Sequence, residues 1–154
     1  MLILNISYND LRVKRALEAV CGPPFGFWAG IRRGGTGSAR FRLEQGPPAM
    51  LEAVDRADDR GYCSLEVRPK GLVIRFRSRL ETLAIPIALE DLREAVLGSP
   101  GGTPRAPLLI ALRSGERLHF SLHREQWGSL HRLLRGALPA DRLRLSAASA
   151  LAAT

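Results

Sequence analysis

The sequence is short of several things at once, and each shortage removes a class of function. It has two cysteines, Cys21 and Cys63, far apart and in unrelated contexts, with no C-x₂-C spacing. A thiolate-bound metal or a disulfide framework is therefore not expected, and both read as small, semi-buried hydrophobes. No apolar run approaches the ~18 residues that a membrane-spanning helix needs. The apolar start, MLILNIS, has no basic region before it and no small-residue cleavage site, so a secretory signal is not expected and the cytoplasm is the expected location. Catalytic signatures are missing as well: no G-x-S-x-G elbow, no H-E-x-x-H, and no Cys–His pair in a recognisable setting. The glycine-rich GGTG at 34–37 lacks the Gly-Lys-Ser/Thr ending of a phosphate loop. No catalytic residue, cofactor or metal is expected. Lysine is nearly absent: only Lys14 and Lys70 stand among 23 basic residues, the rest being arginine.

What is present fits one globular domain. The 154 residues are 45% hydrophobic and 25% charged, a mix that buries a core without staples. A single domain is expected over 1–138, followed by an Ala-rich tail or weak helix over 139–154. The net charge of +8 points to anionic partners, nucleic acid or lipid. The arginine bias is also what a GC-rich genome imposes, and the arginines are spread from Arg12 to Arg144.

Along the chain, LILNIS predicts a short N-terminal strand. Asn9 or Asp10 then caps a helix ending at Gly22-Pro23, with Leu11, Leu17 and Val20 near one face and Arg12, Lys14 and Arg15 mainly elsewhere. Phe25, Phe27, Ala29 and Ile31 alternate, as do Phe41 and Leu43, which predicts a hairpin over 25–33 and 38–44. RRGGTGSARFR resembles basic, glycine-rich RNA-binding segments, in one copy with one Phe. Residues 47–60 predict a second helix with Met50, Ala53, Val54 and Ala57 inward; Asp55, Asp58 and Asp59 on it lack calcium-loop spacing and read as a solvated face.

From residue 62 the period becomes two. Cys63, Leu65 and Val67 oppose Ser64, Glu66 and Arg68; Leu72, Ile74 and Phe76 oppose Val73, Arg75 and Arg77; Leu83, Ile85 and Ile87 alternate around Pro86. LEDLREAVLG reads as one or two helical turns or a bent strand, and SPGGTPRAP as a loop. The clearest hairpin is 107–123, with Leu118, Phe120 and Leu122 on one face and Arg117, His119, Ser121 and His123 on the other. Trp127, Leu130, Leu134 and Ala137 then repeat at helical spacing, and Trp127 reads as the structural anchor that covers an open sheet end. All three histidines fall in this stretch. At strand rise His119 and His123 stand about 13 Å apart, too far to share a metal, and His131 lies on another helical face. Glu66, Glu81, Glu116 and Glu125 are scattered and do not pair.

The strands from 62 to 123, the Ile85-Pro86 step with Glu90-Asp91 after it, the 107–123 hairpin and the closing helix 124–138 together resemble a bacterial pleckstrin-homology-like (PH-like) domain. Adding the 25–44 hairpin gives that superfamily's seven strands and one helix, so the resemblance covers about 25–138. The 47–60 helix would be an insertion, and the N-terminal strand and helix at 2–21 lie outside. The expected fold is α+β: a strongly bent antiparallel sheet, or PH-like partly open barrel, of about seven strands capped by a C-terminal helix. An α+β sandwich uses the same elements.

Such a fold hosts many functions, so two are expected from the chain itself. The first is a non-enzymatic binding or scaffolding module that recognises a protein, or a second copy of itself, through a sheet edge or the groove beside the C-terminal helix. Val73, Arg75 and Arg77 on the outer face and the 98–107 loop are its first candidates. The second is an electrostatic binder of nucleic acid or anionic lipid through a basic face made of Arg32, Arg33, Arg40 and Arg42 with Arg75, Arg77 and Arg79, should those two strand pairs be neighbours.

Overall fold

A computed structural model of the chain describes residues 1–32, 35–38, 40–55 and 61–147. Within them the order is β1 (Leu4–Asn5), α1 (Leu11–Cys21), α2 (Phe27–Arg32), β2 (Phe41–Gln45), α3 (Pro48–Asp55), β3 (Tyr62–Arg68), β4 (Gly71–Ser78), β5 (Glu81–Ala88), β6 (Leu92–Gly98), β7 (Arg105–Leu112), β8 (Arg117–His123), α4 (Trp127–Ala137) and β9 (Leu143–Ser146). The strands form one mixed sheet in the order β1-β5-β4-β3-β2-β8-β7-β6-β9. Every pair is antiparallel except β6 with β9.

Two meanders, β3-β4-β5 and β6-β7-β8, are tied together by β2, which pairs with β3 on one side and β8 on the other. β5 and β6 are consecutive in the chain but are not neighbours in the sheet. The alternating apolar residues of these strands turn to one side and make the main core, among them Phe41, Leu65, Leu72, Ile74, Ile85, Leu108, Ile110 and Phe120. Phe41 and Phe120 meet edge to face with ring centroids 4.8 Å apart. Leu130, Leu134 and Leu138 bring α4 and its end into that core, and Met50 and Val54 bring in α3.

The outer face carries a second, smaller cluster. Asp10 caps α1 by accepting from the Arg12 N–H at 2.8 Å, and the helix stops at Gly22, whose φ of 80° suits glycine. Leu17 and Cys21 then lie on Val73 and Ala84. Cys21 Sγ is close to the carbonyls of Leu72 and Ile87, and Lys70 donates its N–H to the Cys21 carbonyl at 2.9 Å.

Several sequence expectations are corrected. The sheet has nine strands among the described residues rather than about seven: the expected 25–33 arm is absent, β6 takes a place in the sheet, and the short N-terminal strand and β9 join at its two ends. Residues 27–32 are helix, not the first arm of a hairpin: Gly30 donates to the Gly26 carbonyl at 2.9 Å, and α2 leaves its large apolar side chains outside. Of the two readings of LEDLREAVLG, the bent strand is the one that forms, over Leu92–Gly98 with a bulge between Leu92 and Glu94, and the helical turns do not. In the expected tail, residues 143–146 are a strand, since the free edge of β6 offers Ala95–Gly98 for parallel pairing. Val73 is fully buried, because α1 covers the face on which it stands. Arg33, Asp58, Asp59 and the Ala-rich 148–154 lie outside the described residues.

Candidate functional site

A single basic face required two strand pairs to be neighbours, the 25–44 hairpin and the pair that carries Arg75, Arg77 and Arg79. The first pair does not form, because 27–32 is helix, but its remaining strand β2 lies directly beside the β3–β4 pair. Convergence still occurs, because β3 offers small and hydroxylated side chains on the intervening rows. Register places Ser64 opposite Arg75, Arg77 opposite Thr82, and Arg42 opposite Tyr62. Alternation turns these residues to the outer face while Cys63, Leu65 and Phe76 turn inward. The result is a concavity of about 220 Å³ whose polar lining is Arg40, Arg75, Arg77, Tyr62, Ser64 and Thr82. Three arginines and three hydroxyl-bearing residues thus border one hollow together with Cys63 and Phe76, and no acidic residue lines it.

Arg75 is held by Glu66, which stands on the same face one row along β3 from Ser64. Its terminal nitrogen bonds Glu66 Oε2, while Glu66 Oε1 accepts from Arg68 Nε at 2.8 Å. Arg68 is itself buried and donates to the Gly22 carbonyl at 3.3 Å, at the end of α1. The Nε of Arg75 is buried and makes no hydrogen bond. Arg75 also walls a second hollow of about 340 Å³, formed by Ser7, Tyr8, Asn9, Asp10 and Lys14. One guanidinium thus borders two adjoining depressions on the outer face.

The other nominated residues that the structure describes do not line this concavity. Arg42 is exposed on the same face of β2. Arg79 is exposed in the β4–β5 turn with φ 57°, and Arg32 is exposed at the end of α2. Trp127 is half-buried against the main core, and its Nε1 donates to the Gly98 carbonyl at 2.8 Å. Glu66, Tyr62, Ser64 and Thr82 were not nominated. A signal was there: the Pro69-Lys70 turn fixes the hairpin register, and that register sets Ser64 beside Arg75.

Beside α4 lies a hollow of about 460 Å³ between His131 and Arg135 of that helix and Leu138, Ala140, Leu143 and Leu145. The edge of β6 beside it is already filled by β9.

The other reactive groups do not assemble. Cys21 and Cys63 are free and buried, and burial pushes their thiols up to about 11 and about 12, which keeps them neutral. His119 is half-buried and held below its ordinary value by desolvation and by Arg117. His123 is exposed beside Arg105, and His131 lies 5.0 Å from the Trp127 ring. Among the described residues no three His, Cys, Asp or Glu side chains come together as a metal site, and no helix is long and apolar enough to cross a membrane. Compared with known proteins, the chain matches no family model and no curated protein.

Proposed function

We propose that the chain is a non-enzymatic binding module and that its ligand is an anionic group of the phosphate type, held on the outer face of β2–β4. The observation that carries this reading is the convergence of Arg40, Arg75 and Arg77 on one concavity with the hydroxyls of Tyr62, Ser64 and Thr82. Guanidiniums present forked donors that match the oxygens of a phosphate, and hydroxyls complete its shell. Glu66 fixes Arg75 in advance, so less ordering is required on binding. The net charge of +8 would speed the approach of an anion.

The framework proposed for this module is PH-like. Strands β2–β8 with α4 supply seven strands and a closing helix, and the β2–β8 pairing joins a four-stranded run to a three-stranded one. On this reading β1 and β9 are additions at the two ends, and α3 is an insertion after the first strand.

The test is a salt titration with two anionic probes, a labelled single-stranded oligonucleotide and phosphatidylserine vesicles. Binding to at least one should fall steeply as salt rises. The Arg40→Glu/Arg77→Glu variant should bind about tenfold or more weakly, with an unchanged melting curve. No binding to either probe at low salt sinks the reading.

A protein partner is the second reading, supported by the half-open apolar groove at α4, where Leu145 is exposed on an edge strand. If that partner is a second copy, size-exclusion chromatography shows a concentration-dependent dimer that Leu145→Glu abolishes. A monomer at every concentration removes that form of it.

A further inference from the structure

Helix α2 is turned the wrong way for a soluble surface. Phe27, Trp28 and Ile31 are 74%, 72% and 57% exposed. At helical spacing the three fall within one arc of about 100°, and Arg32 borders it. The inward side is made by small residues, Ala29 and Gly30, both half-buried. The knuckle has a fixed seat. Phe25, just before it, packs on the main core, and Gly35 donates to the Gly30 carbonyl at 2.9 Å. Thr36–Ser38 then run along β3, with Val67 donating to Thr36 and Ser38 donating to Leu65, both at 2.7 Å. Two residues further on is Arg40, in the wall of the basic concavity.

We infer that α2 is an interfacial anchor that inserts Phe27, Trp28 and Ile31 among the headgroups of an anionic bilayer, with Arg32 and the concavity's arginines on lipid phosphates. This rests on the anionic-ligand reading above and names the source of the anion. Three observations favour a bilayer over other anionic partners. Trp and Phe beside arginine is the composition that settles at a membrane–water boundary. The Phe27 and Trp28 rings are 75° apart, so they do not offer parallel faces for successive bases of a single strand. Ile31 cannot stack on a base at all. The positive net charge supplies the attraction to anionic lipid that so small an apolar patch needs in addition.

The experiment uses the full chain, vesicles of phosphatidylcholine with and without phosphatidylserine, and the oligonucleotide probe. The wild-type protein should sediment with phosphatidylserine vesicles and not with pure phosphatidylcholine. Lipids brominated along the acyl chain should quench its tryptophan emission, because Trp28 enters the bilayer. The Phe27→Ser/Trp28→Ser/Ile31→Ser variant changes only exposed side chains and should keep its melting curve while losing about tenfold or more of its vesicle affinity. The brominated-lipid measurement on the unaltered chain stands in should that variant not fold. Vesicle binding unchanged in the triple variant, or no quenching of the vesicle-bound protein, overturns the anchor. Oligonucleotide binding without vesicle binding overturns the anchor and leaves the anionic-ligand reading standing. Silence with every anionic probe overturns both.

Discussion

Glu66 bonds Arg75 with one carboxylate oxygen and Arg68 with the other, and so joins the wall of the basic concavity to the end of α1. Arg68 is almost wholly buried, and Glu66 keeps only 17% of its side chain open. Removing the carboxylate charge leaves a buried guanidinium without its counter-ion, which costs far more than an exposed pair is worth. Glu66→Gln should lose about 2 kcal/mol in urea denaturation, less than a fully buried pair because Arg75 is partly open to water. It should also weaken anion binding, since Arg75 loses its fixed position. A variant as stable as the wild type would show that the pair is not a structural tie.

Two glycines answer opposite questions. A Cβ on Gly71 would stand 2.3 Å from the Ile87 carbonyl oxygen and 2.9 Å from Cys21 Sγ. The first obstacle is backbone in the adjacent strand, so Gly71→Ala should destabilise by about 3 kcal/mol and loosen α1 from the sheet. At Gly128, near the start of α4, nothing lies within 4 Å of the same atom. Gly128→Ala should stabilise by about 0.5–1 kcal/mol through helix propensity alone. Urea midpoints of the two variants on either side of the wild type check both. Equal midpoints would contradict the close approach at Gly71.

Legibility in the sequence followed the length of the periodic signal. β3, β4 and β5 were readable because seven or eight residues alternate and hairpin turns bound them. Alternation also named the face of Arg75 and Arg77, and with it much of the candidate site. It could not say that Val73 on that face is dry, because burial there depends on α1 folding back from far away in the chain. Phe25-Gly26-Phe27-Trp28-Ala29-Gly30-Ile31 satisfies period two and, at Phe27, Trp28 and Ile31, a helical arc as well. Seven residues cannot separate the periods, and the helix won. Leu143–Ser146 is four residues beside an Ala-rich run, and it becomes a strand only because β6 has an edge to offer. The hydroxyls of the concavity were hidden for a different reason. Tyr62, Ser64 and Thr82 carry no charge to draw notice, and only strand register puts them beside arginines.

His119 should make stability depend on pH. Desolvation, with Arg117 adding to it, holds this imidazole below its ordinary value of 6.5. A depressed value in the folded state means that the unfolded chain binds the proton more readily. The contribution is therefore full above pH 6.5 and is lost as pH falls through that value toward the lower folded one. Urea midpoints should drop between pH 7.5 and pH 5, and His119→Gln should remove part of that drop. An identical pH dependence in His119→Gln would rule the residue out as its source.

Trp127 offers the sharpest division between ring and hydrogen bond. Its ring lies against the core and against His131, while its indole N–H reaches the carbonyl of Gly98, a buried residue at the end of β6. Gly98 is also the last residue paired with β9, through Ser146. Trp127→Phe keeps most of the apolar contact and removes only the donor, leaving a buried carbonyl with one partner fewer, which should cost about 1 kcal/mol. Trp127→Ala removes the ring as well and should cost about 3 kcal/mol. Because Gly98 joins α4, β6 and β9, the Phe variant should also speed amide exchange at Ser99, whose N–H rests on the Ser146 carbonyl at 2.8 Å, more than at Ile74 in the middle of β4. If exchange at Ser99 were unchanged in Trp127→Phe, the indole would be a passive cover and β9 would hold to β6 without it.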